Sequence, residues 1–222
     1  MHLLYNHSLH SYSICAPLGH VDGEKLLSNY NVRVHAVNGA FKHLPYNVKL
    51  SLSITFCRSM YGSGLVNMSD AYQERLDVTW RKSVRLLLSV PYRAHGRVLP
   101  LLCGDFGIRE TIFNQILNFF RKLSNCKESQ YRVVFNNIYV GSQSCVSENL
   151  RYLCQCFGCD MPSLLTRDKC YIRNFFLRRA NFNETVYNLA EFAKCILEAR
   201  DLLNEFLTKQ QCNDILWDIL IL

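Results

Sequence analysis

Arg75, Arg81, Lys82 and Arg85 fall between the apolar positions of a helix-like stretch, and Arg93, His95 and Arg97 follow directly after Pro91. Grouped on one outer surface, these side chains form a cationic ridge suited to phosphate. Guanidinium groups bond phosphate oxygens in pairs, and release of condensed counterions favours association with a nucleic-acid backbone. The competing reading is a solvated polar face, which is ordinary on the outside of an amphipathic helix.

A second arrangement could hold a metal. In Cys154-Gln155-Cys156-Phe157-Gly158-Cys159, with Cys145 and Cys170 nearby, thiolates two residues apart can share one zinc ion, and Cys154, Cys156, Cys159 and Cys170 would close a tetrahedral set. Against this, every histidine lies at or before His95, and the interval from Cys159 to Cys170 fits no common zinc ribbon. Leu150, Leu153 and Phe157 place the cysteines on a helix that buries them, so they read as small core residues and no cofactor is expected. Cys57 or Cys103 beside His43 or His95 would make an activated thiol, but no third, orienting group can be assigned. Asp105-Phe106-Gly107 copies the magnesium tripeptide of kinases without the phosphate-covering glycine loop or the catalytic-loop aspartate. Gly62-Ser63-Gly64 lacks the following lysine of a phosphate loop and reads as a helix exit.

The elements that must position these residues are helices. Ser69 or Asp70 can cap a helix whose Leu76, Trp80, Val84, Leu87 and Leu88 recur every three or four residues and form one apolar face. Pro45, Pro91, Pro100 and Pro162 separate further segments of helical spacing. Helices are predicted near 24–43, 47–62, 69–90, 94–103, 108–126, 146–157, 168–180 and 183–209. The fold class is therefore mainly α, a bundle-like arrangement. Tyr131 to Val140, rich in Tyr, Val, Phe and Ile, reads as one short strand or an irregular crossing and also as the linker. The expected organisation is an N-terminal remnant (1–23), a basic helical region (24–130), a linker (131–145) and a C-terminal helical region (146–222). In the last of these, Val186, Leu189, Ala193, Ile196, Leu203 and Leu207 follow heptad-like spacing. They suit docking onto the chain's own body or onto a protein partner.

Charge is uneven. The net +7 includes 11 Lys or Arg against 4 acids between Arg75 and Arg132, whereas Asn183 to Leu222 carries 3 against 7. The middle is thus the nucleic-acid candidate, extended by Arg167, Lys169, Arg173, Arg178 and Arg179; the aromatics among the latter, Tyr171, Phe175 and Phe176, read as core. With 49% hydrophobic residues the chain can build a core. Its 11 cysteines would suit a disulfide scaffold, but MHLLYNHSLHSYSICAP has neither a basic leader nor an unbroken apolar stretch. The expectation is a reduced, intracellular chain, nuclear or cytoplasmic. No apolar run nears the ~20 residues of a membrane span.

The order Tyr61-Gly62-Ser63, Trp80-Arg81-Lys82, Arg85, Pro91-Tyr92-Arg93, His95 and Leu99-Pro100 resembles the region after the palm in reverse transcriptases of non-long-terminal-repeat retrotransposons, where it forms the thumb and the following connection. The resemblance extends outward from Leu18-Gly19-His20 to Asn125. Leu189 to Arg200 and Asp214 to Leu222 are similar to the helical tail of the same reading frames. It implies a module that grips a primer–template duplex, with Arg75, Arg81, Lys82, Arg85, Arg93, His95 and Arg97 on phosphates. Reverse transcription needs palm carboxylates that hold two metal ions, and this chain has no adjacent aspartate pair, so it carries no polymerase chemistry by itself. Three readings follow: a detached, non-catalytic fragment with salt-sensitive, sequence-independent binding of RNA or DNA duplexes; a helical protein-interaction module using its C-terminal helix; or an inert remnant.

Overall fold

Why the chain folds as it does is clearest in its central helix. Ser69 caps it, accepting a hydrogen bond from the Tyr72 amide (3.3 Å), and Asp70–Leu88 (α3) then runs for five turns. Leu76, Trp80, Val84, Leu87 and Leu88 are all under 5% exposed, so the apolar face read from spacing is the buried one. Ser89 in the left-handed region (φ 51°) ends the helix, and Pro91 prevents its resumption.

The computed structural model describes residues 22–60, 62–94, 96–128, 133–136, 144–168, 170–180 and 182–202. It is mainly α, with no strand among those residues. Gly23–Ala40 (α1), capped by Asp22, presents Leu27, Tyr30, Val34 and Val37 to α3. Tyr46–Leu52 (α2) passes into a π-helical turn, Ser53–Cys57, and packs on α1 and α3. Leu99–Cys103 (α4) is a short helix, and Ile108–Asn125 (α5) lies against α3 with Ile108, Ile112, Phe113, Ile116, Leu117 and Phe120 buried. After one helical turn at 133–136 (α6) come Cys145–Phe157 (α7), Met161–Thr166 (α8), Tyr171–Ala180 (α9) and Glu184–Leu202 (α10). One buried cluster runs from Leu27 through α3 and α5 to Leu197, so α7 to α10 share a core with α1 to α5. A knot of aromatic rings, Phe113, Phe157, Phe175 and Phe176, joins α5, α7 and α9 at centroid distances of 4.5–6.0 Å.

Three expectations need correction. The strand expected near 131–140 is replaced, where that segment is described, by the turn of α6; Val133 and Val134 are exposed and no neighbouring strand exists among the described residues to pair with. The helix expected over 94–103 begins only at Leu99, because the Ala94 carbonyl, which a helix there would use four residues on, is taken by the Arg85 guanidinium. The helix expected over 47–62 stops at Cys57, where Arg58 turns away into a two-pronged ion pair with Asp105. The six-residue α8 is too short to show a helical period in the sequence; Asp160 caps it through the Ser163 amide (3.0 Å), and Pro162 occupies its first turn. Residues 1–21 and 203–222 lie outside the described residues, as do the matches placed there.

Candidate nucleic-acid interface

The outward side of α3 faces a groove of about 830 Å³, bounded by Asn38 at the end of α1 and by the chain after α3. Arg81, Lys82 and Arg85 form its charged wall. Val78, Leu86 and Val90 supply apolar surface, with Ser89 and Tyr92 at the rim, and none of the lining residues is a carboxylate.

Each cation is placed differently. Lys82 is exposed. Arg81 is half-buried, and its Nε donates to the Asp77 carbonyl one turn back (3.1 Å). The chain after Pro91 passes directly over it: a Cβ added at Gly96 would stand 3.1 Å from Arg81 Cδ. The Asp77 carboxylate is drawn away to Arg109 on α5 (3.0 Å). Burial raises its pKa, and Arg109 and then Arg81 oppose that rise. Arg85 donates Nη2 (2.7 Å) and Nε (3.3 Å) to the Ala94 carbonyl and so ties the 89–94 turn to the helix. Burial, with the neighbouring Arg81 charge, lowers its pKa. Beyond the turn, Arg93 lies over the Tyr92 ring (5.6 Å to the centroid) and donates Nε to the Tyr92 hydroxyl (3.1 Å). Arg97 is exposed, and His95 lies outside the described residues.

Arg75 is not in this groove. It pairs with Glu24 across α1 and lines a separate depression of about 750 Å³ that also holds His35 and Glu74. Spacing along α3 could not foresee this, because it depends on where α1 packs. Tyr92 is the residue the charge-based reading omitted from the site; an aromatic placed beside an arginine just past a helix-stopping proline was its only signal.

The remaining arrangements resolve into packing. Cys154 and Cys159 meet at the end of α7, where the Cys159 amide bonds the Cys154 carbonyl (3.2 Å), and burial raises the pKa of both thiols. Among the described residues no three His, Cys, Asp or Glu side chains converge to hold a metal ion. Cys145 donates its thiol to the Leu65 carbonyl (3.2 Å), and burial pushes Cys103 up to about 12, the opposite of an activated nucleophile. Asp105-Phe106-Gly107 is a joint: Asp105 holds Arg58, Phe106 stacks near Phe176 (6.3 Å), and Gly107 passes against Trp80. Ser63 donates to Gln115 Oε1 (2.6 Å), anchoring the 62–65 turn on α5. In the second basic cluster Arg167 lies over Tyr171 (4.9 Å), Arg179 over Phe175 (5.9 Å), and Arg173 donates to the Gly104 carbonyl, while Lys169 is outside the described residues. The apolar seam of α10 packs inward: Ala190, Ala193 and Leu197 are fully buried against α4 and α2, Val186, Leu189 and Ile196 partly so, and Asp201 accepts the Tyr46 amide (2.7 Å). Among the described residues no helix is long and apolar enough to cross a membrane.

Comparison with protein families, with curated proteins and with solved structures gave no match.

Proposed function

We propose that this chain is a non-catalytic helical module related to the thumb and connection of non-long-terminal-repeat retrotransposon reverse transcriptases, and that it holds RNA–DNA duplexes by their phosphates. The observation that carries the reading is the α3 groove, in which Arg81, Lys82 and Arg85 converge with no carboxylate among the lining residues. Two guanidinium groups this close repel each other, and the partial burial of Arg85 makes that repulsion harder to screen. A polyanion relieves it. Because such contacts read backbone and not bases, binding is sequence-independent and falls with salt.

The test is the affinity of the purified chain for a labelled RNA–DNA duplex across a salt series. Each phosphate neutralised contributes roughly 0.9 to the slope of log K against log salt for B-form DNA, and a comparable value is expected for the hybrid. Arg81→Ala with Lys82→Ala should flatten the slope by about 2, whereas Arg75→Ala, whose guanidinium serves Glu24, should leave it unchanged. Absence of salt-dependent binding by a folded chain would refute the proposal.

A further inference from the structure

The groove holds two kinds of surface, and phosphate uses only one of them. Val78, itself 37% exposed, lines it with Leu86 and Val90, and Tyr92 at the rim is 72% exposed. Along its length an intact duplex keeps its bases stacked inside and presents phosphates and sugars, which offer an aromatic face no base to stack on. An unpaired nucleotide presents both a phosphate and a flat, weakly polar base, and every base has a π-face that stacks on an aromatic ring. Tyr92 is prepared for that role. The Arg93 guanidinium over the ring and its bond to the hydroxyl fix the side chain, leaving most of the ring in solvent beside the charged wall. A ring already held in place gives up little conformational freedom when a base lands on it.

We infer that the groove takes an unpaired nucleotide, its base stacked on Tyr92 and its flanking phosphates on Arg81 and Lys82. The preferred ligand is then a nucleic acid with a single-stranded portion, not a blunt duplex. This rests on the phosphate-binding reading above and narrows it: the cations supply attraction to any strand, and Tyr92 selects strands whose bases are free.

The experiment compares a blunt RNA–DNA duplex with the same duplex carrying a short single-stranded extension that contains 2-aminopurine, at fixed salt and across a salt series. The extended duplex should bind more tightly, and its 2-aminopurine emission should fall as the base stacks. Tyr92→Ala should weaken binding of the extended duplex by roughly 5- to 150-fold, the range that loss of one base–aromatic stack gives, while leaving the salt slope and the blunt duplex unaffected. Tyr92→Phe should keep most of the gain, since the ring and the Arg93 guanidinium over it are retained and only the hydroxyl bond is lost. Equal, salt-sensitive binding of both duplexes, indifferent to Tyr92→Ala, would overturn the base-stacking site and leave the phosphate grip standing. No salt-sensitive binding of either would overturn both.

Discussion

Replacing Asn149 should damage this fold more than replacing any exposed cation. Asn149 is 1% exposed on α7 and serves the backbone of the chain that leads into α3. Its Oδ1 accepts the Met68 amide (2.9 Å), and its Nδ2 donates to the carbonyls of Gly64 (2.8 Å) and Val66 (2.7 Å). Asn149→Leu keeps the branched shape and the number of heavy atoms, so no cavity opens and the main loss is polar. A buried amide left without an acceptor costs about 2 kcal/mol, and each carbonyl, with a second lone pair and Gly64 only half-buried, about 1. The sum is about 4 kcal/mol out of the 5–15 typical of a folded chain. In a protein of this size that lowers Tm by roughly 8–16 °C, measurable by thermal circular dichroism and by urea titration. A shift under about 2 °C would refute the reasoning, because the three bonds could not then be made in solution. The effect should reach the groove as well. Met68 immediately precedes the Ser69 cap, and Tyr152, also on α7, donates to Asp70 (2.6 Å), so α7 fixes the start of the helix that carries the ridge.

Two further outcomes follow, one from buried hydroxyls and one from backbone strain. Burial pushes the Tyr30 hydroxyl up to about 12. The unfolded chain ionises near 10, so the stability this group contributes is present below pH 10 and lost as pH rises towards 12, up to about 3 kcal/mol. Urea midpoints should fall over that window, and Tyr30→Phe should flatten the fall without abolishing it, since Tyr72 is raised to about 12 as well. The two positive-φ glycines on either side of Asp105-Phe106 should separate strain from packing. Gly107→Ala combines φ +95° with a Cβ 2.8 Å from the Trp80 ring and should cost about 2–5 kcal/mol, whereas Gly104→Ala, at φ +62° with open space around it, should cost about 1 by urea denaturation.

Much of the helical framework is legible in the sequence because it depends on local periodicity. The apolar faces of α3 and α5 repeat every three or four residues, and the Ser69 cap lies next to the segment it starts, whereas α8, opened by Asp160, is too short to show a period. What was not legible depends on contacts between segments far apart in the chain. Asn149 has no signature, since a polar residue in a helix is ordinarily read as solvent-facing. The end of α2 depends on Asp105, 47 residues beyond Arg58, and the late start of α4 depends on an arginine side chain returning to a carbonyl nine residues on. The candidate site divides the same way. Arg81, Lys82 and Arg85 follow from the positions left over by the apolar face of α3, but Arg75 has the same type and helix and is claimed by α1.

The cations of the groove are consequently unequal. Arg85 is bound to the Ala94 carbonyl and shapes the turn that carries Tyr92 and Arg93, so its charge and its architecture cannot be removed separately by an alanine. Lys82 is exposed, and Arg81 donates its Nε to a helix carbonyl, a bond any residue at 81 can forgo without leaving a buried group unpaired, since the Asp77 carbonyl sits within an intact helical ladder. Arg85 feels both its burial and the neighbouring Arg81 charge, on a helix that cannot move away. Its far face is sealed in the core through Trp80 and Leu87, its start is held by α7, and its end is fixed by Arg85 itself. A surface loop bearing the same three cations would relax apart in the empty state and gain less from an anion. On the proposed reading, rigidity behind the ridge is what would suit this charged helix face to a polyanion.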